Sequence, residues 1–134
     1  MPKAIAPDQQ EKMLSGARAA FQNAHAPYSK FKVGATILTE RGVLYSGCNV
    51  ENASYGLTIC AERNAIFAAV AAEGSSMRIK AVAVATEQEV ACAPCGACRQ
   101  VIFEFGPDAV ILFRGRSGTE QMAITQLLPE GFRL

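Results

Sequence analysis

The octapeptide IKAVAVAT, residues 79–86, sets the tightest limit on what this chain can fold into. It is a short, mostly apolar run, so it reads as a strand buried on both faces, which needs helices to cover it. The flanking segments supply them. ICAERNAIFAAVAAE, residues 59–73, is rich in alanine and apolar on most faces, predicting a buried helix capped by Thr58 and closed by Gly74. Pro94 stands where helices begin, so the next helix is expected from about Cys95 to Phe105. Nearer the start, Met13, Leu14, Ala17, Ala20, Phe21 and Ala24 recur at helical spacing within 8–24, with Asp8 as the expected N-cap.

FKVGATIL (31–38) and GVLYSGCNV (42–50) read as a hairpin turning at TERG, and AVILFR (109–114) as a further strand. The tail is expected to give a short strand and then a helical turn stopped by Pro129. A hairpin followed by alternating strands and helices predicts an α/β fold. We expect a three-layer α/β/α sandwich on a mixed five-stranded sheet, with residues 1–134 forming a single domain.

Composition removes several classes of function. Half the residues are hydrophobic and 19% are charged, which supports a packed core and excludes a disordered chain. Lys and Arg number 13 against 12 Asp and Glu, so the clustered basic excess of a nucleic-acid polymer binder is missing. No stretch approaches the ~18 apolar residues of a membrane span, and MPKAIAPDQQEK lacks the apolar core of a signal peptide. A cytoplasmic protein with no membrane partner is expected. Cysteines 48, 60, 92, 95 and 98 in such a chain read as reduced thiols or metal ligands rather than disulfides.

Cys95 and Cys98 are three apart, so both can face one ion from the first turn of a helix. There the unpaired N–H groups and the positive end of the helix dipole favour thiolate, the form that binds metal. Two sulfurs do not hold zinc. Cys60, at another helix start, offers a third, and Glu62 follows two residues later. In a regular helix that pair lies ~200° apart, so the reading requires relaxed geometry at the helix mouth. With three sulfurs, one vertex stays open for water, and Glu62 beside it can move protons. Other readings remain: a closed structural zinc with Cys92 or Cys48 as fourth ligand, a redox pair at 95/98, or a non-catalytic zinc module. Taken singly, Cys60 is also an ordinary buried thiol and Glu62 a helix-start acid. His25, in a polar loop, reads as solvated.

CAERNAIF followed by PCGACRQV, together with PYSKFKVGA, GCNVENASYGLTICAERNA and LLPEGF, closely resembles the small homotetrameric zinc-dependent cytidine deaminases. The resemblance covers most of the chain from Pro27 onward. It implies one Zn2+ per subunit on Cys60, Cys95 and Cys98, with Glu62 shuttling protons while water replaces the 4-amino group of a pyrimidine nucleoside. The implied reaction is cytidine, and 2′-deoxycytidine, to uridine or deoxyuridine and ammonia, in pyrimidine salvage. Arg63 resembles the family arginine that donates to ligand sulfurs and offsets the excess negative charge of three thiolates. Asn49 and Glu51 are two apart on an extended segment and point the same way, which suits a sugar hydroxyl; in the family these positions hold the ribose. Phe31 resembles the phenylalanine beside the pyrimidine. The backbone N–H groups of Cys60 and Ala61 are free to hold the pyrimidine carbonyl. Phe132 resembles an aromatic that closes a neighbouring subunit's site. A blasticidin S deaminase is the nearest rival, differing in the stretch that here reads NVENASYGLTICAE.

Overall fold

A computed structural model describes residues 5–134; the first four residues of the N-terminal stretch lie outside it. The chain runs α1 (Pro7–Phe21), β1 (Val33–Thr39), β2 (Leu44–Cys48), α2 (Ala61–Glu73), β3 (Ile79–Thr86), α3 (Gly96–Phe105), β4 (Val110–Gly115), β5 (Gly118–Ala123) and α4 (Ile124–Leu127). The five strands form one mixed sheet in the order β2-β1-β3-β4-β5. Only β3 and β4 pair in parallel, with α3 as their crossover; every other neighbouring pair is antiparallel.

The apolar central strands split their side chains between two layers. Ala35, Ile37, Val82, Val84, Ile111 and Phe113 pack with α2, α3 and α4. Their neighbours in sequence, Leu38, Ala81, Ala83, Val110 and Leu112, pack on the other face with Met13 of α1. This alternation gives the three layers that the buried strand predicts. Two glycines permit the close approaches. A Cβ on Gly34 would lie 1.9 Å from the Ala17 carbonyl oxygen, so α1 rests directly on β1. A Cβ on Gly47 would lie 2.5 Å from the Ala65 nitrogen, so edge strand β2 lies against the first turns of α2.

Several boundaries differ from expectation. Pro7 opens α1 with Ala6 at the N-cap, leaving Asp8 inside the first turn, and the helix stops at Phe21, before Ala24. Proline's fixed φ suits the first helical position and moves the start two residues earlier. β1 begins at Val33 because the Phe31 carbonyl accepts from the Asn49 side chain at 2.8 Å and takes no part in a strand ladder. β2 ends at Cys48, and Val50 pairs instead with Ile59. That bridge keeps residue 59 extended, so α2 begins at Ala61 with Cys60 as its N-cap. Thr58 does not cap the helix; its hydroxyl accepts from the Asn52 amide at 3.3 Å. Likewise α3 begins at Gly96 with Cys95 as N-cap and Pro94 ahead of it.

Helix α2 is less buried than its composition predicts. Ala61, Glu62, Ala65, Ile66 and Ala69 face inward, whereas Phe67 is 48% exposed and Ala68, Ala71 and Ala72 are exposed beside it. The tail forms its strand and helical turn ahead of Pro129, as expected.

Candidate active site

The starts of α2 and α3 meet on one face of the sheet, and the cysteines sit there. Cys60, held by the extended Val50–Ile59 bridge, is the last residue before α2. It lies outside the helical repeat, and Glu62, the second helical residue, is turned inward at 4% exposure. Both line the same cavity, so the relaxed helix mouth takes a definite form: a cap residue followed by a first-turn residue. On α3, the N-cap Cys95 accepts from the Cys98 amide at 3.5 Å, and Cys98 is fully buried one turn on.

The sulfurs of Cys60, Cys95 and Cys98 lie within 4.8 Å of one another, and those of Cys60 and Cys95 are 3.7 Å apart. Tetrahedral zinc with ~2.3 Å bonds sets its sulfur ligands ~3.8 Å apart, so this donor set fits a zinc ion. Among the described residues Cys48 and Cys92 stand outside the group, and all five cysteines are free thiols. Arg63 adds a second observation: its Nη2 donates to the Cys60 sulfur at 3.4 Å, while its Nε is buried with no partner. One guanidinium nitrogen thus touches a sulfur of the group while another is buried with no partner.

The thiols titrate unequally without metal. A hydrogen bond from the Cys98 thiol, followed by Arg63, holds Cys60 down to about 5. The reciprocal bond to Cys60, with burial, pushes Cys98 up. Burial raises Glu62 to about 7. That carboxyl holds its proton more tightly folded than unfolded, so its stabilising contribution is complete below pH ~4.5 and lost as pH rises through about 7. In metal-free protein, Glu62→Gln should therefore match wild type at pH 4.5 and exceed it by up to ~3 kcal/mol at pH 8. Urea unfolding with chelator and reductant measures this. A stability gap independent of pH would contradict it.

The cavity has a volume of about 270 Å3, and Phe31, Asn49, Glu51, Ala61, Glu62 and Cys60 are among its walls. Asn49 is nearly buried and bonds Val33 N at 2.9 Å and the Phe31 carbonyl at 2.8 Å, leaving its second N–H and a lone pair. Ala61, first in α2, has an amide with no helical acceptor. Phe132 is apart: it is 67% exposed and does not line this cavity, and its carbonyl accepts from Gln100 at 3.2 Å. His25 is exposed, but its backbone is engaged with Asn49 and Glu51.

Sequence reasoning missed Ser29, which also lines the cavity, and read Cys92, another of its walls, only as an alternative metal ligand. Ser29 sits in an otherwise polar loop and carries no periodic signal. Cys92 has a raised pKa, near 11, because burial disfavours its thiolate, as suits a wall residue.

A three-thiol group at two helix starts, with a buried carboxyl beside it in a mixed α/β sheet, fits a zinc-dependent hydrolase. Residues 7–114 match the family described as the cytidine and deoxycytidylate deaminase zinc-binding region, and the chain belongs to that family. It is 45% identical over 124 residues to a cytidine deaminase of Sporosarcina psychrophila, covering 91% of this chain and 90% of the relative. The crystal structure of the Burkholderia pseudomallei cytidine deaminase superposes with a TM-score of 0.81 at 44% identity, covering 91% of this chain and 98% of that one. The cytidine deaminase of Mycobacterium tuberculosis gives 0.82 at 38% identity, covering 92% and 97%.

Proposed function

We propose that this chain hydrolyses cytidine and 2′-deoxycytidine to uridine or deoxyuridine and ammonia, a step of pyrimidine salvage. The observation that carries the reading is a buried carboxyl, Glu62, sharing one cavity with sulfurs spaced for zinc. Cys60, Cys95 and Cys98 hold one zinc ion per subunit, which when bound supplies a Lewis acid that activates the attacking water. Arg63 offsets the charge of the sulfurs through its bond to Cys60.

Glu62 moves the protons. It takes one from the water that attacks C4 and delivers it to ring N3, then takes the proton of the new C4 hydroxyl and delivers it to the 4-amino nitrogen as the C4–N bond breaks, leaving the C4 carbonyl and ammonia. Burial favours its neutral form and lifts it to about 7, so the carboxylate takes a proton from water more readily than an exposed one and can serve as base and then acid near neutral pH. The amides of Cys60 and Ala61 hold the pyrimidine carbonyl, Phe31 packs beside the ring, and Asn49 and Glu51 take the sugar hydroxyls.

The reading extends to a single catalytic domain over residues 1–134 that assembles as a homotetramer. The exposed apolar strip of α2 at Phe67, Ala68, Ala71 and Ala72 supports burial against another copy, with Phe132 closing a neighbour's site. The enzyme is cytoplasmic and acts on free nucleosides, since a net charge of +1 offers no basic track for a polynucleotide.

The test is to mix zinc-replete protein with cytidine and follow ultraviolet absorbance and ammonia together. Stoichiometric uridine and ammonia bear the reading out. Firmly bound zinc with no product would overturn it.

A further inference from the structure

Glu51 does not reach its cavity as a free side chain. One carboxylate oxygen accepts from the backbone amides of Tyr28 at 2.9 Å and Ser29 at 3.1 Å, and the other accepts from the Ser29 hydroxyl. The Ser29 hydroxyl in turn accepts from the Phe31 amide at 3.0 Å. One side chain thus joins the residue assigned to the sugar with the residue assigned to the ring.

The loop is bent to make this possible. Lys30, between Ser29 and Phe31, has a φ of 60°, in the left-handed region that a lysine rarely adopts. Its amide bonds back to the Ala26 carbonyl at 3.1 Å, and its carbonyl accepts from Gln88 at 3.1 Å. These bonds hold a disfavoured conformation in place, which turns Ser29 toward both partners at once. The hydroxyl, ahead of the two amides, also keeps Glu51 below the usual carboxylate range, so Glu51 is an acceptor only. Ser29 and Glu51 line both the 270 Å3 cavity and an adjoining hollow of about 410 Å3 walled by Tyr28 and Tyr55. They stand where the two spaces join.

We propose that Ser29 is a positioning residue for sugar recognition, its hydroxyl fixing the Glu51 carboxylate relative to Phe31 so that ring and sugar are gripped in one register. The inference rests on the reading that Glu51 accepts a hydrogen bond from a sugar hydroxyl. It predicts a defect that depends on the substrate's sugar, which a merely structural loop residue would not produce.

The experiment compares KM and kcat for cytidine and 2′,3′-dideoxycytidine in the wild-type holoenzyme, Ser29→Ala, Ser29→Thr and Glu51→Gln. Ser29→Ala should raise KM for cytidine about tenfold with kcat within about twofold, the effect of loosening one charged hydrogen bond. KM for the dideoxy substrate should not rise, and Ser29→Thr should restore the cytidine value. Equal losses on both substrates, or no loss on either, would overturn the proposal while Glu51→Gln still erases the preference for cytidine. If Glu51→Gln leaves that preference intact, the sugar reading of Glu51 fails and the Ser29 proposal fails with it.

Discussion

Glu62→Gln is expected to slow cytidine turnover by roughly 10³–10⁴-fold while leaving zinc content unchanged. Glutamine keeps the size of the side chain and its place at 4% exposure, but it cannot take a proton from water or give one to the amine. Each of the successive transfers requires the carboxyl, so no later step compensates for the first. The carboxyl is not among the metal-spaced groups, and the three sulfurs are untouched by the change. Initial rates beside a colorimetric zinc determination on the same sample decide the matter. A rate within tenfold of wild type at full zinc would move the proton transfers to another group.

The second large effect is on stability. Removing zinc with a chelator should lower the unfolding midpoint of the wild-type protein by ~10–20 °C, because a ligand at about a thousandfold its Kd contributes about 4 kcal/mol. Cys98→Ser should melt near that lowered temperature and be almost insensitive to chelator. Cys98 is fully buried, and its sulfur lies within 4.8 Å of those of Cys60 and Cys95 at the two helix starts. The variant therefore loses a metal ligand and leaves an imperfectly paired hydroxyl. Melting curves of both proteins in reductant, with and without chelator, make the comparison. A chelator shift in the variant as large as in wild type would exclude Cys98 from the metal site.

The layers of the fold were legible because β3 is apolar on both faces, and residues 79–86 form the strand that IKAVAVAT predicts. Caps were less legible. Thr58 and Asp8 have good capping side chains, but the Val50–Ile59 bridge and Pro7 decide where α2 and α1 begin, and a long-range pairing leaves no local trace. That same bridge makes Cys60 the cap, resolving the angular conflict with Glu62. The exposed face of α2 was misread because alanine is compatible with a buried or an open helix face alike. Arg63 was singled out only through family resemblance, since an arginine in a first turn is ordinarily solvent-facing. Ser29 was invisible because its importance depends on the left-handed turn at Lys30, which its sequence does not announce.

The sheet order also fixes when the metal centre can exist. Cys60 precedes β3 in the chain and Cys95 and Cys98 follow it, while β3 lies between β1 and β4. The two sulfur-bearing helix starts are brought together by strand pairings such as Val33 with Thr86 and Val82 with Ile111, which join distant parts of the chain. Such non-local pairings form slowly, and during synthesis Cys95 and Cys98 emerge only after β3. The three sulfurs therefore reach the spacing that suits one ion only where the sheet has closed around β3.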